Sequence, residues 1–315
     1  MTLAEQREAV ALNIRAYRKA WRDYDAKHGE IFNPIEQRRL RAVLERARAE
    51  VRSGAAAPLR ALDLGSGTGN VTRHLVELGF DTTASDVSPD LLRVVSERLP
   101  GVRTELIDGL GLSTFADASF DLVTAYSVLH HVPDYLAMVG EAVRVLRPGG
   151  VLVIDHEASD DFWVKGGCVD AFRRAMREEQ ASRPGWWNPA RRPWQRHLDP
   201  RELVLRFNMR FRPKAVFCVE GDLHTWAFDH VEWDSVEGRL AAAGAEVVEA
   251  EEYLVYRDEY PRRVWEEYRE SCSDMRVLIA RKGSQVARRG VADLEDERPV
   301  AHAAAREGRD LGEVD

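Results

Sequence analysis

Cysteine is scarce: Cys168, Cys218 and Cys272 are the three in 315 residues, far apart and without a C-x-x-C pair. That excludes a disulfide framework or a zinc site of paired cysteines and fits a reduced, cytoplasmic compartment. No apolar run approaches the roughly 18 residues a membrane span needs; Val151–Ile154 is among the longest. The first residues, MTLAEQREAV, lack a basic segment followed by an apolar core, so no signal peptide is expected. A basic surplus is missing too: 45 Lys and Arg against 53 Asp and Glu leave a net charge of −8, which argues against a surface built throughout for phosphate backbones. No repeat of 20–50 residues is visible. What is present, 44% hydrophobic and 31% charged residues, suffices for one large α/β domain with an attachment.

Residues 3–28 carry apolar side chains at helical spacing (Leu3, Val10, Ile14, Tyr17, Trp21, Tyr24). A second helix starts with Asn33 as N-cap, Pro34 in the first turn and Glu36 placed to reach back as in a capping box. Its buried stripe is Ile35, Leu40, Val43, Leu44, Ala47 and Val51. Beyond the linker at 53–58 the pattern changes to strands (Leu59–Leu64, Thr82–Ser85, Arg103–Ile107, Phe120–Ala125, Val151–Ile154) alternating with helices at 69–78, 89–99 and 133–146. This predicts a doubly wound α/β sheet. Residues 158–231, punctuated by prolines and rich in Trp and Arg, read as an insertion after the fifth strand. A helix at 232–243, a strand at Ala245–Ala250, a helix at 259–271 and a strand at Met275–Ala280 complete the sheet. The tail 284–315 has no aromatic residue and no Ile, and is expected to be disordered.

The sharpest local signal is Ala61-Leu-Asp-Leu-Gly-Ser-Gly-Thr-Gly-Asn70, a strand running into a glycine turn at a helix start. Glycines there let the backbone approach a ligand closely. The dinucleotide fingerprint G-x-G-x-x-G is not met: Gly65, Gly67 and Gly69 alternate, and Asp63 stands where a carboxylate repels a pyrophosphate but suits an amino group. Asp86 closes the next strand, 21 residues after Gly65, the position that holds a ribose diol in nucleotide-binding βαβ units. The segment resembles the class I S-adenosylmethionine-dependent methyltransferases, small-molecule branch, whose first motif is D/E-x-G-x-G-x-G. The resemblance is close over 59–157, where Phe120–Asp134 and Leu146-Arg-Pro-Gly-Gly-Val151 are similar to the fourth and fifth motifs.

The resemblance implies a Rossmann-like seven-stranded sheet with S-adenosylmethionine as cofactor. Residues 1–57 would be a helical lid, 58–157 the cofactor core, 158–231 a substrate cap, 232–283 the rest of the sheet and 284–315 a tail. It places Asp63, Gly65, Ser66, Gly67 and Gly69 around the methionine part, Asp86 and Val87 at the ribose, and Asp108 and Gly109 at the adenine. Tyr24, Tyr126 and His131 complete the cofactor side. Many members have a Leu-Pro pair after the adenine-side acid, whereas here Gly109-Leu-Gly-Leu-Ser113 follows Asp108.

A general base is needed only for a nucleophile that arrives protonated. Strict alternation along strand five sets Asp155 and Glu157 on one face and His156 on the other; Glu157 and His156 from this strand, and His130 after strand four, are the catalytic candidates, each with a structural hydrogen-bonding role as the alternative. Tyr17, Tyr24 and His28 either close a lid or simply pack two helices together. Trp163, Trp186, Trp187, Trp194 and Trp226 either wall an acceptor pocket or build the cap's own core. Asp222, His224 and His230 lack a metal spacing, and no metal is expected. Residues 183–214 hold nine basic against two acidic residues, a net of +7. They fit a solvated helical face, an anionic small-molecule acceptor, or a nucleic acid, the last disfavoured by the acidic whole. The expected reaction is methylation of O, N or C on a small molecule. The rivals are a methyltransferase acting on RNA or protein through 183–214 and a non-catalytic cofactor-binding scaffold.

Overall fold

The computed structural model describes residues 1–20, 24–55, 58–182 and 222–283. Trp21, the insertion's basic stretch 183–214 with Trp186, Trp187 and Trp194, Cys218 beyond it, and the tail 284–315 lie outside the described residues, as do the expectations attached to them.

Seven strands form one sheet: β1 (Arg60–Leu64), β2 (Asp81–Asp86), β3 (Arg103–Leu106), β4 (Phe120–Tyr126), β5 (Leu146–Ala158), β6 (Ala245–Tyr253) and β7 (Met275–Lys282). Their order is 3-2-1-4-5-7-6. All neighbours are parallel except β7, which runs antiparallel to both β5 and β6. Alternate strand residues feed two separate cores. Ala61, Leu122, Val151, Val153, Val277 and Ile279 pack under α3 (Pro34–Glu50) and α4 (Asn70–Glu77). Leu62, Val123, Leu152, Ile154, Leu278 and Ala280 pack under α6 (Tyr135–Val145) and α8 (Trp233–Ala242). A sheet covered on both faces needs apolar residues at successive positions, which is why these strands read as continuous runs. The remaining helices are α1 (Leu3–Ala20), α2 (Tyr24–Lys27), α5 (Pro89–Arg98), α7 (Cys168–Ser182) and α9 (Arg262–Tyr268).

Asn33 caps α3 as expected, its Oδ1 accepting from the Ile35 and Glu36 N–H groups. Glu36 does not complete a capping box: its carboxylate accepts from the Tyr256 N–H and from Arg39 Nε, ties that no local pattern reveals. Helix α9 is shorter than the expected 259–271, because Pro261 sets its N-terminus. Of the insertion, the described part comprises a 3₁₀ turn at Asp160–Trp163, α7, and a small hairpin pairing Thr225–Trp226 with Asp229–His230. Helix α7 packs against α9 in a third apolar cluster. Trp163 stacks on His230 and Trp226 on Phe228, so both described tryptophans pack within the insertion itself.

Candidate functional site

The β1–α4 turn makes the floor of a cavity of about 950 Å³. Gly65, Gly67 and Gly69 all have left-handed backbone, φ 66°, 53° and 92°. A Cβ on Gly65 would stand 2.4 Å from Val128, whereas one on Gly67 would meet nothing within 4 Å, because Gly67 borders open cavity. The turn therefore demands glycine for two reasons, close packing at one position and backbone conformation with ligand room at the other.

Two buried carboxylates stand beside the turn. Asp86 Oδ2 accepts from the Gly67 N–H at 3.0 Å and Oδ1 from the Ser88 N–H at 2.8 Å, so the acid both shapes the glycine loop and faces the cavity. Asp63 lines the cavity as well, and hydroxyls hold it: Thr72 donates to Oδ2 at 2.5 Å and Thr124 to Oδ1 at 3.0 Å. Burial raises both acids to about 6. Asp108 departs from its expected place. It is exposed and does not line the cavity, because its Oδ1 accepts from the Leu110 and Gly111 N–H groups in a local turn. Its neighbours Ile107 and Gly109 do line the wall, with Val87 and Leu91.

The roof comes from the N-terminal helices. Val10, Asn13 and Tyr17 of α1 and Tyr24 of α2 face the cavity at spacings of three, four and seven residues. Asp25 fastens α2 to the glycine loop: it accepts from the Thr68 hydroxyl and from Arg98 Nη1, both at 2.7 Å. Four buried polar atoms of cavity-lining residues have no hydrogen-bond partner among the described residues: Asn13 Nδ2, Ser66 Oγ, Asn70 Nδ2 and Tyr126 Oη. Buried polar groups are nearly always paired, so this set offers bonds that a ligand or water in the cavity would complete. Burial also pushes the Tyr126 phenol well above its ordinary value, keeping it neutral.

At the far end, the 3₁₀ turn Leu129–His131 follows β4. His131 lines the cavity, with Nε2 at 3.0 Å from the Tyr17 hydroxyl and Nδ1 at 3.3 Å from Asp222. His130 lies beside it, ring centroids 4.1 Å apart, but does not line the cavity. Of the three catalytic candidates, two are corrected by the structure. Glu157 accepts from the Val128 and Leu129 N–H groups through Oε1 and from His130 Nδ1 through Oε2, which leaves it a buried brace of the turn. His156 sits at φ 63° with its ring 5.0 Å from that of Tyr126, away from the cavity, and burial lowers it to about 4.

A bulge caused both misplacements: the β5–β7 register shifts between Ile154 and Glu157, breaking strict alternation. Asp155 and His156 turn towards the α3 side, to Arg39, Tyr253 and Tyr126, while Glu157 turns to the α6 side. Asn13 and Asn70 were missed by the sequence reading. The signal for Asn13 is a polar residue inside the apolar stripe of Val10, Ile14 and Tyr17.

Sheet order 3-2-1-4-5-7-6 with an antiparallel β7, over a glycine turn flanked by two acids, defines the class I methyltransferase fold. The family model described as a methyltransferase domain matches residues 62–154, the stretch that holds most of β1, the glycine turn, β2 to β4 and most of β5. The chain is 35% identical over 101 residues to the ubiquinone biosynthesis O-methyltransferase of Xanthomonas oryzae, covering 30% of this chain and 41% of that protein. It is 33% identical over 115 residues to the 2-methyl-6-phytyl-1,4-hydroquinone methyltransferase of Synechocystis, covering 33% and 36%. An uncharacterised methyltransferase of Mycobacterium bovis is 38% identical over 156 residues, covering 47% and 63%. The chain thus spans less than two thirds of each of these relatives. Among solved structures, the 1,6-didemethyltoxoflavin N1-methyltransferase of Burkholderia thailandensis, with 1,6-didemethyltoxoflavin and S-adenosylhomocysteine bound, matches with a TM-score of 0.51. The match covers 90% of this chain and 93% of that one at 18% identity, a likeness of fold.

Proposed function

We propose that the chain transfers the methyl group of S-adenosylmethionine to a small-molecule acceptor held at the His131 end of the cavity. One observation carries this: three left-handed glycines, two buried carboxylates and four unpartnered polar atoms surround a single volume. The residues fit the cofactor's parts. Asp86 would accept the ribose hydroxyls, Val10, Val87, Leu91 and Ile107 would flank the base, and Ser66 and Asn70 would receive the amino-acid end. The cofactor, when bound, supplies an electrophilic methyl on a sulfonium. Transfer from a sulfonium cancels charge, so the chain's task is to hold the nucleophile in line at ~3 Å rather than to stabilise new charge. The roof of α1 and α2 keeps water from that line, and Asp25 keeps the roof seated on the glycine loop.

The cavity is lined mostly by apolar and aromatic side chains with a few polar groups, the make-up of a small-ligand site. The names of the relatives refer to ubiquinone, a phytyl hydroquinone and a toxoflavin precursor, all small molecules. No helix among the described residues is long and apolar enough to cross a membrane. Calorimetry with S-adenosylmethionine and S-adenosylhomocysteine tests the donor side. Asp86→Ala removes hydrogen bonds to a charged group and should weaken binding about 10- to 100-fold. Negligible binding to the wild type would refute the function, and so would equal affinity in both proteins. Release of S-adenosylhomocysteine with a panel of hydroquinones, phenols and N-heterocycles then tests the acceptor side.

A further inference from the structure

We propose that His130, His131 and Asp222 form a binding site for a divalent first-row transition ion at the acceptor end of the cavity. Each residue offers a ligand atom, and the three atoms lie within 4.8 Å of one another. Ligand atoms around such an ion stand roughly 3 Å apart at bond lengths of about 2.0–2.2 Å, and the His131 Nδ1 to Asp222 separation of 3.3 Å already meets that spacing.

Three features fix the ligands before any ion arrives. The His130 Nδ1–H donates to buried Glu157 Oε2 at 2.8 Å, which sets the ring's lone pair on Nε2, the carboxylate–histidine arrangement that orients metal-ligating imidazoles. Tyr17 holds the far nitrogen of His131 at 3.0 Å, leaving Nδ1 towards the cluster. Asp222 comes from a distant part of the sequence, and the backbone delivers it: the Leu223 and His224 N–H groups donate to the His130 carbonyl at 2.8 and 3.1 Å. His224 Nε2 adds a contact of 3.1 Å to the Val132 carbonyl. Sequence spacing gave no hint of the site, since its two halves are about ninety residues apart.

Two imidazoles and one carboxylate favour Zn²⁺, Fe²⁺, Co²⁺ or Ni²⁺ over Mg²⁺ or Ca²⁺. Three protein ligands, the number found among the described residues, are fewer than the roughly four to six positions such an ion fills, which gives an exogenous oxygen a place. The role of the ion rests on the methyl-transfer function above; the site itself does not. An acceptor hydroxyl bound there releases its proton to solvent. Its oxygen lone pair then forms the bond to the methyl carbon while the C–S bond breaks, its electron pair staying on sulfur. This supplies a nucleophile in a cavity where Glu157 is spent on the turn and His156 lies elsewhere.

The test is titration of tag-free, chelator-stripped protein with Co²⁺, read by its visible absorption and by calorimetry, with Mg²⁺ in parallel. Saturable binding of one Co²⁺ per chain is expected, with a tenfold or greater rise in Kd in both His130→Gln and Asp222→Asn, while S-adenosylhomocysteine affinity holds and reports that the fold persists. No saturable Co²⁺ binding overturns the site, as does affinity unmoved by either substitution, or Mg²⁺ binding as tightly as Co²⁺. Co²⁺ binding without S-adenosylhomocysteine binding leaves the site standing and removes the methyl-transfer function.

Discussion

Gly65 and Gly67 belong to one motif yet should fail differently when replaced. Gly65→Ala combines a left-handed backbone, costing about 1–2 kcal/mol for a residue with a Cβ, with a 2.4 Å approach to Val128. It should destabilise the fold by more than about 2 kcal/mol in denaturant titration. Gly67→Ala meets no atom, so its stability loss should stay near the backbone cost while cofactor affinity falls, because the methyl enters ligand space. Equal stability losses would contradict this division. Asp86 carries a pH dependence. Burial raises it to about 6, so acidification from pH 7.5 to 5 protonates it and weakens the acceptor proposed for the ribose hydroxyls. Cofactor affinity should fall across that window by calorimetry, and the Asp86→Asn profile should be flat. The glycines and Asp86 were legible because motif and strand end lie within one short segment. Asp108 was misplaced because two adjacent backbone N–H groups, invisible to a motif, capture its carboxylate.

At the scale of elements, α3 is locked to the sheet by a buried charge cluster. Arg39 Nη1 donates to both oxygens of Asp155 at 3.2 and 3.1 Å, Arg39 Nε donates to Glu36, and the Tyr253 hydroxyl donates to Asp155 at 3.0 Å. Arg39 also lies 3.7 Å from the Tyr253 ring centre. Removing one member strands a buried charge, so Asp155→Ala should cost about 3–5 kcal/mol in chemical unfolding. The companion Glu36→Gln, Arg39→Met, Asp155→Leu triple variant, which leaves no stranded charge, should recover part of that loss. A loss below 1 kcal/mol for the single substitution would show that the cluster does not secure α3. The helices and strands themselves followed from period and capping, but the direction of Glu157 did not. One extra residue at the β5 bulge reverses which core the following side chain meets, and the pairing that creates the bulge comes from β7, over a hundred residues onward.

Over the whole molecule, burial among the described residues moves three carboxylates far up and one imidazole far down from their ordinary values. Asp63 and Asp86 are raised to about 6 and Asp274 to about 7, each first by burial, so their contribution to stability is full below about pH 4 and is lost as pH rises through 6–7. His156, lowered to about 4 by burial, acts oppositely: its contribution is present above 6.5 and is lost as pH falls through 4. With three acids against one base, the melting temperature of the ligand-free protein should rise between pH 8 and about 5.5 and turn down near pH 4. A steady fall from pH 8 to 5 in differential scanning calorimetry would argue that these acids are not buried as described.

The sequence by itself determined the class of fold, the glycine turn and its acids, because each depends on periodicity or on neighbours within a few residues. Only the tertiary structure decided what closes the cavity and what stands at its far end. Helix α1 lies over the cavity, Glu157 braces the turn, and Asp222 meets His131, since those contacts are made by segments that strand pairing and packing bring together across the chain.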